Sequence, residues 1–189
     1  MKNKLLLVVA AAGIAFLFFR SSGGDAPLAD GAFLLYQQGE STVRLTFHLV
    51  DGDSYRTAVE VTDSDGETEV GDYVLGHDQT VDGGMRTESG AAFELGSYGP
   101  LWVSPSQMKE GGSAHGTRIN ELRTLNGREV AVVSASVGMG AALRGEWYYD
   151  VVTGFIVGGM MSTAVSAPGQ GLSFELVGSN VVGLEAPRS

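Results

Sequence analysis

The chain of 189 residues has no cysteine, only three histidines and few positive charges. Without cysteine there is no disulfide framework, so an exported fold has to be held by its core alone. The histidines, His48, His77 and His115, include no pair at the helical spacing of three or four that a zinc motif uses. No serine stands in a G-x-S-x-G elbow, and Ser113 in GGSAH lacks the second glycine. In VAVVSASVGMGAALRG, Gly138 and Gly140 have the spacing of a dinucleotide loop, but Leu143 stands where the third glycine belongs. DSDGETE places Asp63 and Asp65 before Gly66. Val61 stands where a calcium loop needs a further acid, so the stretch reads as a hairpin turn with charged flanks. No cofactor, metal or catalytic residue is expected from these motifs.

Positive charge is scarce: 12 Lys and Arg oppose 22 Asp and Glu, a net charge of −10. The imbalance is regional. Residues 51–94 hold twelve acids against Arg56 and Arg86, whereas residues 95–189 hold seven acids against six bases. Such a surface repels phosphate backbones, which excludes nucleic acid as a partner.

What the chain does have is one long apolar run near its start. Lys2 and Lys4 precede Leu5 to Phe19, fifteen apolar residues ending at Arg20. As a helix the run covers roughly 22 Å, short of a ~30 Å hydrocarbon core. It is read as a retained signal anchor, because Phe16 to Phe19 is bulky and Arg20 can snorkel at the membrane edge. The alternative is a signal peptide cleaved near Gly23 or Gly24. In either case the positive amino terminus stays cytoplasmic and the remainder is exported, on a single-pass membrane protein or as a secreted or periplasmic one.

Glycine is abundant, 28 residues, about twice the usual share. It punctuates short apolar runs. In STVRLTFHLV, Val43, Leu45, Phe47 and Leu49 alternate with Arg44, Thr46 and His48, a half-buried strand. In SYRTAVEVT, Tyr55, Thr57, Val59 and Val61 share a face. Asn126-Gly127 in TLNGREV is a hairpin signal, and INELRTL before it is read as strand rather than helix. Helix is confined to SPSQMKEGG, with Ser104 as N-cap, Pro105 in the first position and Gly111 as the stop. Val151 to Ala167 is apolar enough for a second membrane segment, but its glycines, Ser/Thr content and Pro168 favour a strand buried on both faces.

These patterns predict an all-β fold. It is a single antiparallel meander of about nine to eleven strands, forming a half-barrel, barrel or sandwich behind one N-terminal membrane helix. The expected division is 1–22 anchor or signal peptide, 23–30 tether, 31–183 β domain and 184–189 tail. EWYYDVVTGFIV resembles the aromatic-Asp-x-x-Thr-Gly hairpin of antiparallel half-barrel envelope proteins, the lipoprotein-carrier and lipoprotein-localisation group. The resemblance implies a concave apolar cavity for acyl chains. Phe155 to Ala164 is the stretch such a cavity would use, and Trp147, Tyr149, Phe155, Met160 and Met161 form the candidate binding face.

Three functions stay open at this point. The leading one is a membrane-tethered, non-catalytic domain acting through contacts with a protein partner at the membrane surface. The second is a lipid or lipoprotein carrier. The third is a secreted enzyme with no recognisable motif.

Overall fold

The computed structural model describes residues 28–50, 54–76, 81–87, 92–93, 101–114, 117–137, 143–163 and 172–184. Twelve strands form one antiparallel sheet. They are β1 (Ala32–Gln38), β2 (Ser41–Leu49), β3 (Ser54–Thr62), β4 (Thr68–Gly76), β5 (Val81–Thr87) and β6 (Ala92–Phe93). After them come β7 (Ser113–Ala114), β8 (Thr117–Leu125), β9 (Arg128–Val137), β10 (Leu143–Asp150), β11 (Ile156–Thr163) and β12 (Leu172–Ser179). The spatial order is β6-β5-β4-β3-β2-β1-β12-β11-β10-β9-β8-β7. The chain therefore enters mid-sheet, steps outward to the β6 edge, and returns from the β7 edge to pair β12 with β1. Connecting β6 to β7 carries the backbone from one edge of the sheet to the other.

Hairpins set the register. Asn126 (φ 50°) and Gly127 (φ 78°) both occupy the left-handed region, the requirement of a type I′ turn, and join β8 to β9 as the sequence predicts. The alternation of β2 and β3 is realised as well. Val43, Leu45, Phe47, Tyr55, Thr57 and Val59 are buried on one face, while Arg44, Arg56 and Glu60 point outward. Leu49 departs from the expected stripe and is 47% exposed, because it lies where β2 runs out into the loop.

The sheet curls around its buried face. Tyr55 of β3 and Phe155, just before β11, both pack against Trp102, with ring centroids 6.5 and 6.0 Å away. Four strand spacings separate β3 from β11, roughly 19 Å on a flat sheet. One indole bridges that gap only if the sheet bends. The inner face carries a single core that joins Leu34, Phe47 and Val59 of the first half to Ile119, Val133, Tyr149 and Phe174 of the second.

The structure narrows the expectations. Ten longer strands fall within the expected nine to eleven, and β6 and β7, of two residues each, bring the sheet to twelve. The sheet is single and open, so the closed barrel and the two-sheet sandwich are not formed. Of Val151 to Ala167, Ile156–Thr163 form β11, and residues 154–159 are all buried while Met160 is 41% exposed. The apolar run 5–19, His77, His115, Gly138, Gly140 and the APGQG turn at 167–171 lie outside the described residues. Among the described residues no helix is long and apolar enough to cross a membrane.

Candidate functional site

The inner face of a curved sheet is the natural place for a ligand, and here it is occupied by the protein's own chain. Leu101, Trp102, Val103 and Met108 belong to the β6–β7 connection, and all four are buried. The Val103 N–H donates to the Gly154 carbonyl and the Ile156 N–H to the Leu101 carbonyl, each at 2.9 Å. Trp102 is bridged to Phe155 between these bonds. Pro105–Gln107 then form one 3-10 turn, the whole of the helix expected around Ser104. At the other side, Gly111 N–H donates to the Ile119 carbonyl and Ile119 N–H to the Gly112 carbonyl. The crossing segment is thus stitched to the start of β11 at one end and to β8 at the other. Its apolar side chains fill the curve, so the segment and the sheet desolvate each other.

Next to it lies the hairpin of the aromatic-Asp-x-x-Thr-Gly pattern. Asp150 Oδ1 accepts from the Thr153 N–H at 2.6 Å and its hydroxyl at 2.7 Å, and the Asp150 carbonyl accepts from the Gly154 N–H. Arg128 donates to Asp150 Oδ2 at 2.7 Å. Asp150 is buried, and the cation with these donors satisfies the carboxylate there. Gly154 has φ 75°, and a Cβ on it would overlap the Val103 carbonyl oxygen. The pattern is therefore a turn that receives the crossing segment. Its residues build the turn on which the segment rests.

Of the residues singled out in the sequence, Trp147, Tyr149 and Phe155 lie on the inner face and Met160 on the other. Tyr149 and Phe155 are core residues, 2% and 0% exposed. Trp147 is half-buried on the inner face, its indole lying over Gly145, where a Cβ would overlap the ring. Gly159 leaves room for the Phe174 ring in the same way. Met160 pairs with Glu146 and is 41% exposed, on the opposite side of the sheet from Trp147, and the Met161 side chain lies outside the description. Trp102 was legible as a large apolar residue. That it forms part of a plug was not, because LWVSPSQM has no period of its own.

Among the described residues the polar groups of the inner face include the tips of its aromatics and Thr57. Tyr36 OH donates to the Ile156 carbonyl at 3.0 Å, and Tyr55 OH to the Leu28 carbonyl at 3.3 Å. Burial pushes the Tyr36, Tyr73 and Tyr149 phenols well above their ordinary range, Tyr36 further raised by Tyr149 and Tyr73. Thr57, paired with Tyr73 across β3 and β4, offsets part of that rise. Raised in this way, these phenols stay neutral at physiological pH, and that of Tyr36 donates to the Ile156 carbonyl. Among the described residues no three His, Cys, Asp or Glu side chains are grouped to hold a metal ion.

No protein-family model and no curated protein sequence matches the chain. Two solved structures align with it. One, described as "Crystal structure of MucB in complex with MucA(peri)", is 17% identical with a TM-score of 0.43, over 77% of this chain and 47% of that one. The other, "The complex structure of Pseudomonas aeruginosa MucA/MucB", is 17% identical with a TM-score of 0.45, over 79% and 50%. The chain spans about half the length of the proteins it aligns with, and a likeness this remote assigns neither family nor function.

Proposed function

We propose that the chain is a membrane-tethered, extracytoplasmic β domain without catalytic activity, acting through contacts with a protein partner at the membrane surface. In this reading residues 1–22 anchor it, 23–30 form the tether, 31–183 the working domain and 184–189 a tail. The observation that carries the reading over the lipid-carrier alternative is the occupied inner face. Leu101, Trp102, Val103 and Met108 sit where a half-barrel carrier would seat an acyl chain, and the segment is bonded to the sheet on both sides. Loading a lipid would first have to expel it. The surface left for recognition is the outer face and the turns, which suits a protein contact better than an enclosed ligand.

Two measurements test this. Native mass spectrometry of the purified chain is expected to give the unliganded mass, and a stoichiometric acyl adduct would favour the carrier instead. Gentle detergent extraction from its own membrane followed by size-exclusion chromatography is expected to give a complex with at least one other protein. Elution as the lone chain contradicts the partner.

A further inference from the structure

The two ends of the sheet differ in chemistry, and the chain enters at one of them. Leu28 leads into β1 there, and Asp30 Oδ1 accepts from the Leu49 N–H at 3.0 Å, fastening the end of β2 to the entry point. Asn180, just after β12, accepts from the Phe33 N–H at 2.7 Å and donates to the Gly31 carbonyl at 3.1 Å. The turn that follows, Val181 to Leu184, lies beside the β10–β11 turn, where a Cβ on Gly183 would touch Thr153 at 3.3 Å. Leu49 and Val50 at the end of β2, turn 150–155 and turn 181–184 are therefore clustered at the entry end.

That end exposes apolar side chains. Val182 is 95% exposed, Val152 76%, Val50 53% and Leu49 47%, and the first two are the most exposed large apolar residues in the described structure. The opposite end carries the turns Gly39–Glu40 and Asp63–Glu67, whose tips present Glu40, Asp63, Asp65 and Glu67. No exposed large apolar residue is found on those two turns. Among the described residues the four apolar tips gather at the entry end, whereas the two described turns at the opposite end present acids.

The length of chain before Leu28 says what covers the apolar end. Eight residues, 20–27, separate it from the apolar run 5–19. Fully extended they span at most about 28 Å. A run embedded in a bilayer therefore keeps this end within about 28 Å of the headgroups, close enough for its apolar side chains to reach them. We infer that Val152, Val182, Leu49 and Val50 form a membrane-docking surface, seated in the interfacial zone of the leaflet from which the chain emerges. The inference rests on the tethered reading. Asp30 borders the patch, and Asp51 and Asp53 belong to the same loop in sequence, so zwitterionic headgroups suit it better than anionic ones. Docking would fix the orientation of the domain, with its acidic end and outer face held away from the membrane for a partner.

The absence of cysteine makes the test clean, since single-cysteine variants carry one label each. Full-length V152C, V182C and, as a control at the far end, D65C are labelled with the fluorophore NBD and reconstituted into phosphatidylcholine vesicles. Labels at 152 and 182 are expected to brighten several-fold, to shift to the blue and to be quenched by spin-labelled lipid. The label at 65 stays aqueous. Adding phosphatidylglycerol weakens the effect, and an aspartate at the unlabelled valine (V152D or V182D) abolishes it without releasing the chain in alkaline carbonate. Three results overturn the inference. If carbonate releases the chain, the tether fails and the docking with it. If the chain is retained but positions 152 and 182 stay as aqueous as 65, the docking fails and the tether stands. If they turn blue without quenching by lipid, another protein or a second copy covers the end.

Discussion

Gly154 shows how one residue couples two parts of the chain. Its left-handed φ disfavours any side chain, and the space a Cβ needs is already held by the Val103 carbonyl. The left-handed conformation alone costs roughly 1–2 kcal/mol for a residue with a side chain, and displacing the crossing segment adds to it. Gly154→Ala is expected to lower stability by at least that amount in urea unfolding, whereas Gly39→Ala, with open space around it, loses only the backbone part. The tyrosines give a second prediction. Tyr36, Tyr73 and Tyr149 have phenols raised by burial, so the folded state resists ionisation that the unfolded chain undergoes near pH ~10. Their contribution is complete below that pH and is lost as pH rises through the folded values. In an alkaline titration followed at the tyrosinate absorbance, these three phenols should ionise only as the fold melts. Ionisation well ahead of the loss of circular dichroism would refute their burial.

At the scale of elements, most of the sheet could be read from alternation and turns. Val43, Leu45 and Phe47 define the inner face of β2, and Asn126-Gly127 closes β8–β9 because only φ above zero at both positions matches the strand twist. The element that defines the interior could not be read. Leu101–Met108 has neither a strand nor a helix period. Its burial comes from spanning the distance between two edges that are neighbours in sequence and far apart in the sheet. The packing around the candidate face was hidden for a related reason. Trp147 and Tyr149 share a side with two glycines that admit aromatic rings, a space-filling relation invisible in residue type alone. Trp102→Ala is expected to cost about 3–5 kcal/mol, the usual price of emptying a buried aromatic site, with a matching fall in the denaturant midpoint. A loss below ~1 kcal/mol would mean that the segment is not part of the core.

For the whole molecule, entry at mid-sheet and return from the far edge have two consequences. One is the crossing segment, which the topology obliges to exist and which the inner face needs in order to be covered. The other is a common end for the entry, β2–β3, β10–β11 and post-β12 turns, so that the first described residues and the exposed valines emerge together. Part of the regional acidity plain in the sequence, Asp63, Asp65 and Glu67, is carried by the β3–β4 turn to the opposite end, while Asp30 stays at the entry end. The central claim is that the inner face is closed by the protein itself. Hydrogen exchange of the full-length chain, read by mass spectrometry on peptides covering 101–112 and 154–158, tests it most directly. Slow exchange in both, as slow as in β2 and β3 and unaltered by excess oleate, is the predicted result. Rapid exchange across 101–112, or exchange that oleate accelerates there, would contradict the account and describe a plug that yields to an acyl ligand.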